Sequence, residues 1–500
     1  MQPQEIELKL VILRLSGEDA LKQLRRSPSL ARRAMSQHWL ENRYFDTPDG
    51  QLQQHRCALR LRHIRPHPEP IRATQPPTWI QTFKTAGQSQ GGLSQRGEWE
   101  APVIQARLDR EALRGTAWDA LDPNDAWFSQ LQPLFETRCL RTTWQVRRKD
   151  GTHIEVALDA GEVLARGRTA PFVELELESK SGSADTLFEL AEELAKRVPV
   201  LPSNRSKAER GQALWADRLL EPAKARHLQA GTNEPIASLA VRAMEEMLDQ
   251  FSRNLDSLMY SDAPELVHQA RVGWRRWRSM HKLLRPWLDE APDVTPMKPL
   301  LQALGHQRNL DVACTETLPL WAPSWPGEGT VWLDSVEILK DAREQHRAHL
   351  RDCLADPEVG LALLRWARTL WQMNDKPLDL KKREALERLA RWHRQMRALL
   401  HPAHDTWIDV ASLHKARLLA KRLRYGSEAL ASALPARKQR RVNQWMSAAQ
   451  SWQTRIGQAR DAWQAAECLQ AVGGSEAMAY FLKGVGAAMD RSAQEKANQR

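Results

Sequence analysis

The chain has 500 residues, 42% of them hydrophobic, and a formal net charge of +11, which is more length than one hydrophobic core holds, so two or three domains are expected. Residues 221–500 carry 41 Lys/Arg against 33 Asp/Glu, so most of the attraction for polyanions lies in that half. No apolar run is long enough to span a bilayer, Met1–Lys9 has charges where a secretory signal needs an apolar core, and Cys57, Cys139, Cys314, Cys353 and Cys468 form no Cys-x-x-Cys pair; these features argue against a membrane protein, a disulfide framework and a structural zinc motif, and for a cytoplasmic protein.

Short runs of period-two alternation separated by Pro/Gly-rich turns fill the first 200 residues. They predict strands near 4–14, 39–46, 57–64, 79–85, 94–102, 138–148, 152–159 and 172–179, with helices over 183–197 and 205–219. From Pro235 onward apolar residues recur three and four apart, the pattern of amphipathic helices. The spacing therefore predicts a multidomain α+β chain: residues 1–219, a linker at 220–234, a helical domain over 235–490 and a tail at 491–500. Twenty Trp against four Tyr and eight Phe are read as core packing.

In the strands the charges fall on one face. Glu5, Glu7 and Lys9 alternate with Ile6, Leu8 and Leu10; Arg60 and Arg62 with Leu59 and Leu61; Glu174, Glu176 and Glu178 with Val173, Leu175 and Leu177; and Arg96, Glu98 and Glu100 share a face. One such strand is ordinarily a sheet with a wet side. Together they mean something narrower, because clustered carboxylates call for a hard cation such as Mg²⁺ or Mn²⁺ and clustered Arg and Lys call for an anion. A metal-bound phosphate chain meets both needs.

Glu5-Ile6-Glu7-Leu8-Lys9 resembles the opening signature of the CYTH, or triphosphate tunnel metalloenzyme, family. Asn42–Pro48, Leu59–Arg62, Thr82–Lys84, Arg96–Glu100, Phe135–Arg138 and Ser206–Gly211 resemble later family segments in the same order. The resemblance implies an eight-stranded antiparallel β-barrel with a charged lumen and flanking helices. It implies metal-binding carboxylates at Glu5, Glu7, Asp159, Glu174 and Glu176, catalytic cations at Lys9, Arg60, Arg62 and Lys84, and phosphate-binding cations at Arg141 and Lys207. The reaction so implied is hydrolysis of inorganic triphosphate, with a metal-positioned water attacking a terminal phosphorus and pyrophosphate leaving in line.

The helical half repeats itself. His268-x-x-Arg271-x-x-x-Arg275-Arg276-x-Arg278 is matched by His414-x-x-Arg417-x-x-x-Lys421-Arg422-x-Arg424, and Leu304-Gly305-x-x-Arg308-Asn309 by Ile456-Gly457-x-x-Arg460-Asp461. Two copies of one helical unit follow. On a helix His268, Arg271, Arg275 and Arg278 fall on one stripe, and His414, Arg417, Lys421 and Arg424 on another, while Leu419, Leu423 and Leu430 face the other way. A single basic stripe is as often merely solvated; its duplication favours a linear polyanion held by both. These residues resemble the conserved-histidine α-helical CHAD domain, an all-α duplicated helical bundle, which implies long-chain polyphosphate as ligand and association with polyphosphate granules. A non-catalytic polyphosphate-binding protein and an adenylyl cyclase are the alternatives; nucleic acid is disfavoured, since no RNA-recognition motif is visible.

Overall fold

A computed structural model describes residues 4–68, 78–290, 292–400 and 410–498, with the side chains at 78, 410, 411, 413, 414, 452–458 and 490–498 outside the description. It separates into two compact units. One comprises Met1–Glu221 with Ala355–Trp371, the other Pro222–Leu354 with Gln372–Arg500.

In the first unit the strands are β1 (Gln4–Ile12), β2 (Met35–Asp46), β3 (Ala58–Pro66), β4 (Thr78–Lys84), β5 (Gln88–Gln90), β6 (Leu93–Val103), β7 (Gln132–Arg147), β8 (His153–Ala165), β9 (Arg168–Ser181) and β10 (Val200–Pro202). They run antiparallel in the order β10-β1-β9-β8-β7-β2-β3-β4-β6-β5. Because β1 pairs with β6 through Gln4–Leu8 as well as with β9, eight strands close into a barrel with no free edge among them. All eight expected strands are present. β5 and β10 are three-residue additions, too short to show alternation.

Alternation explains which side each residue takes. Leu8, Leu10, Leu175 and Leu177 are fully buried on the outer face, where the helix Asp185–Ala195 lays Leu187, Phe188, Leu190, Ala191 and Leu194 against β1 and β9. Around β3, β4 and β6 the outer cover is Leu52, Leu113 and Trp118 packed on Leu59 and Phe83. Over these strands the outer face is covered by apolar residues and the charged face turns inward, whereas on β2 and β7 the outward positions Arg43, Glu136 and Arg138 form exposed ion pairs.

The helix Lys207–Trp215 fills part of that interior. Leu214 joins Leu40, Phe135, Cys139, Val163 and Phe172 in one apolar cluster, and Gly211 is required because a Cβ there would lie 2.0 Å from the Phe135 ring. Ser206 caps this helix in a reciprocal box with Glu209, which makes Lys207 its first residue. Ala355–Trp371, inside the stretch expected to belong to the helical domain, groups with the barrel: Arg368 pairs with Asp185 and lies 3.4 Å from Glu192, and Gly360 allows close approach to the Val200 carbonyl.

The second unit is helical throughout its regular structure. The helix Pro264–Leu284 packs on Ile236–Leu258 and on Val410–Leu430, and Lys298–Val312 packs on Gly329–Leu354 and on Ala436–Ala471. Corresponding helices of the two sequence copies thus meet. Leu423 and Leu430 are fully buried, and Trp274, Trp277, Trp332, Trp392 and Trp445 are core residues, so core packing accounts for these Trp. The last helix, Glu476–Asn498, runs through most of the stretch expected as a tail. Among the described residues no helix is long and apolar enough to cross a membrane.

Candidate active site and polyanion site

Strand register sets the barrel interior. Glu5 stands opposite Arg96, Lys9 opposite Glu176, Lys84 opposite Glu98, and Asp159 opposite both Arg141 and Glu174; residues paired across antiparallel strands share a face. Two charge clusters result. In one, Glu5 receives Lys84 at 2.9 Å and Arg96 at 2.9 Å, and Lys84 also reaches Glu98 at 2.9 Å. In the other, Lys207 lies 2.8 Å from Asp159, 3.1 Å from Glu174 and 2.7 Å from Glu176, while Arg141 bonds Asp159 and Glu176. Lys9 joins the clusters, 3.4 Å from Glu7 and 3.3 Å from Glu176. Arg60 sits 3.7 Å from Glu98 and 3.6 Å from Glu100, and Arg62 donates to Asn42 at 2.9 Å.

The electrostatics are strongly coupled. Burial alone would raise the Glu176 carboxyl, but Lys207, Lys9 and Arg141 hold it well below its ordinary value. Burial opposes the Lys207 ammonium, yet Asp159, Glu176 and Glu174 hold it well above its ordinary value. Arg62 behaves differently. Burial, then Arg60 and Arg141, push it down to about 10 despite Glu100 at 3.9 Å, so a bound anion would ease its charge.

Some carboxylate oxygens are held by cations alone. Glu7 Oε1 lies 3.4 Å from Lys9, and the two oxygens of Glu174 lie 3.1 and 3.4 Å from Lys207 and Arg210, with no hydrogen bond to any of the three among the described residues. These are hard oxygen donors of the kind Mg²⁺ and Mn²⁺ take. Among the described residues no three His, Cys, Asp or Glu already form a group able to hold a metal, because lysine and arginine stand between the carboxylates.

In the helical unit the two stripes converge. Lys421 is pushed down to about 7 by burial and then by Arg275, Arg417, Arg271 and Arg460; Arg271 falls to about 10 through burial, Arg275, Arg308 and Arg460. His268 is lowered by burial, Arg308 and Arg275. Arg275 Nε and Arg417 Nε are buried with no hydrogen-bond partner among the described residues. Gly305 makes room for this cluster: a Cβ there would stand 3.0 Å from Arg271 Nη1. Arg278 lies apart, near Lys282 and Arg422, and the Arg424 guanidinium covers the Tyr425 ring at 4.5 Å. The His414 side chain falls outside the described residues.

Residues 3–212 match the CYTH domain and residues 242–470 match the CHAD domain. The chain is a CYTH domain joined to a CHAD domain. A curated relative, the inorganic triphosphatase of Haemophilus influenzae, is 33% identical over 218 residues, which is 43% of this chain; the chain spans 56% of that relative's length. Among solved structures, the CHAD domain of the plant Ricinus communis is 21% identical, covering 55% of this chain and 96% of that one with a TM-score of 0.47. A Hippeastrum protein described as an adenylyl cyclase candidate with dominant triphosphatase activity is 21% identical over 42% of this chain and 95% of its own, with a TM-score of 0.32.

Sequence reasoning missed several members of both sites. In the CYTH domain, Arg210 reaches Glu174 at 3.4 Å, and the Tyr44 hydroxyl, which burial would push up, is held below its ordinary value by Arg60. Arg210 was visible beside Lys207, three residues on, on the same helix face. In the CHAD domain, Arg308 and Arg460 occupy matching places in the second echo, and both shift Arg271. Their repetition was the available signal.

Proposed function

We propose that the CYTH domain hydrolyses inorganic triphosphate to pyrophosphate and phosphate with the help of Mg²⁺ or Mn²⁺, and that the CHAD domain binds long-chain polyphosphate. The observation that carries the first part is the closed barrel whose interior interleaves cations and carboxylates, with Arg62 lowered by burial and by Arg60, and with Glu7 and Glu174 oxygens held by Lys9, Lys207 and Arg210 alone. The relative's name, inorganic triphosphatase, supports the same reading.

In this reading Arg60, Arg62, Lys84, Arg141 and Lys207 hold the phosphate oxygens, exchanging part of their present pairing with carboxylates for the substrate. Lys9 keeps Glu7 and Glu176 at fixed separation. Glu5, Glu7, Asp159, Glu174 and Glu176 would hold the divalent cation, which supplies neutralisation of charge on the phosphate chain when bound. Arginines around the terminal phosphate stabilise the charge that builds on its oxygens during in-line transfer. The carboxylates orient water, and no residue need act as a dedicated base.

For the CHAD domain the support is the meeting of Arg271 and Arg275 with Arg417, Lys421 and Arg460, since five cations crowded together are eased by a polyanion. A cytoplasmic location with recruitment to polyphosphate granules belongs to this reading. The test is phosphate release from triphosphate, ATP, pyrophosphate and long polyphosphate, with and without Mg²⁺ or Mn²⁺. Metal-dependent release from triphosphate above the others is expected; ATP turned over to cyclic nucleotide, or no release from any, would refute it.

A further inference from the structure

The barrel wall changes neighbours at one residue. Along β1, Gln4–Leu8 pair with β6 and Leu10–Ile12 pair with β10, so Lys9 stands at the seam between two ladders and belongs to neither. Its backbone is held there by two separate hydrogen bonds. The Lys9 N–H donates to the Gly92 carbonyl at 2.9 Å, and the Lys9 carbonyl accepts from the Ser203 N–H at 3.0 Å. The side chain of this residue lies among the interior carboxylates, 3.4 Å from Glu7 and 3.3 Å from Glu176.

One helix bears on both backbone partners. Gly91 and Gly92 form the turn between β5 and β6, with φ of +55° and +91°, and a Cβ on Gly92 would come within 2.8 Å of the Lys9 carbonyl oxygen. Only glycine lets this turn close on Lys9. Asn204 steadies it, its side-chain oxygen accepting from the Gly92 N–H at 2.8 Å. The preceding glycine meets the helix Pro357–Asp375: a Cβ on Gly91 would stand 2.3 Å from Ala367 Cβ, and one on Gly360 would stand 2.1 Å from the Val200 carbonyl oxygen. Val200 opens β10, which leads directly into Ser203. Ala367 is fully buried, and Arg368 fixes the helix to Asp185 and Glu192.

We propose that Gly360 and Ala367 are positioning residues of the barrel site: through β10 and the Gly91–Gly92 turn they fix the backbone of Lys9, and with it the separation of Glu7 and Glu176. They act by packing, because a close-packed interior transmits a small displacement instead of absorbing it. Both residues lie in the stretch that matches the CHAD domain, so a helix of that stretch completes the CYTH site. The effect on turnover rests on the triphosphatase reading, whereas the coupling to Lys9 rests on the strand geometry alone.

The test uses full-length protein with isotope-labelled lysine, the Lys9 Cε resonance being identified by its loss in Lys9→Met. Ala367→Val presses on the turn from the helix, and Gly91→Ala presses on the helix from the turn. In each, the Lys9 resonance of the substrate-free protein is expected to shift and kcat for triphosphate to fall about tenfold or more, with the protein still fully folded by circular dichroism. Adding Ala367→Gly to Gly91→Ala removes the facing Cβ and should return both readings toward wild type. Arg368→Ala loosens the same helix without crowding it, and should shift the resonance even where the crowded variants do not fold. A folded variant of this set whose Lys9 resonance stays at the wild-type position would overturn the proposal, whatever its activity. If the wild type released no phosphate, the triphosphatase reading would fail, and the resonance would still decide whether the helix sets Lys9.

Discussion

Lys207 Nζ lies 2.8 Å from Asp159 Oδ2, with Asp159 fully buried and Lys207 nearly so. The pair ties the helix that fills the barrel to the strand opposite, and the same ammonium serves Glu174 and Glu176. Replacing Lys207 by Met leaves three buried carboxylates short of a cation. Loss of one partner from such a network costs about 3–5 kcal/mol, so the midpoint of urea unfolding should fall sharply while phosphate release drops about 100-fold or more. An unchanged midpoint would mean that Lys207 is not buried against Asp159 in solution.

Glu5→Gln and Glu7→Gln each remove a lumen carboxylate at constant size. Triphosphate hydrolysis is expected to fall at least about 100-fold, with wild-type circular dichroism and a right-shifted dependence on Mg²⁺. Full activity at the wild-type metal concentration would exclude both residues from cation binding.

How much of this was legible beforehand follows from which interactions are local. Period two puts Arg60 with Arg62 and Glu174 with Glu176 on one face wherever the strand goes, so the charged lumen was readable in the residues. That the helix after Ser206 enters the barrel depends on Phe135, Val163 and Phe172 leaving an apolar space for Leu214, a relation no local pattern contains. The helix Pro357–Asp375 shows the same limit. Its amphipathic spacing announces a buried face, but only the contact of Gly360 with Val200 and the pairing of Arg368 with Asp185 reveal which core buries it. In the CHAD domain the duplicated spacing located Arg271, Arg275, Arg417 and Lys421, whereas the separation of Arg278 from them arises from its place farther along the helix, beside Lys282 and Arg422.

Polyphosphate binding should depend on pH through Lys421, whose value is about 7. Above that pH the free protein must take up a proton to present the ammonium, so affinity falls with rising pH, by at most about tenfold per unit. Lys421→Arg keeps its charge and should flatten this step, which separates it from titration of the phosphate ends. For folding the sign is opposite: the unfolded lysine holds its proton to about pH 10.4, so this group's contribution to stability rises between about 7 and that value. Calorimetric titrations at pH 6.5 and 8.5 distinguish the two proteins; identical pH dependence would remove Lys421 from the site.

Gly305→Ala should separate fold from binding. The new Cβ, 3.0 Å from Arg271 Nη1, displaces a flexible guanidinium, while alanine in a helix interior gains about 0.5–1 kcal/mol over glycine. A protein at least as stable as wild type, with polyphosphate affinity reduced several-fold, is the expected result. Unchanged affinity would mean that Arg271 does not contact the polyanion from its present position.

Phosphorus NMR of full-length protein with inorganic triphosphate and Mg²⁺ or Mn²⁺, beside the Glu176→Gln variant, reads the proposed reaction itself. The expected spectrum shows triphosphate replaced by equal amounts of pyrophosphate and phosphate in the wild type, no change without metal, and little change in the variant. Triphosphate left intact by the folded wild type with either metal, or consumed equally by Glu176→Gln, would contradict a triphosphatase centred on the barrel interior.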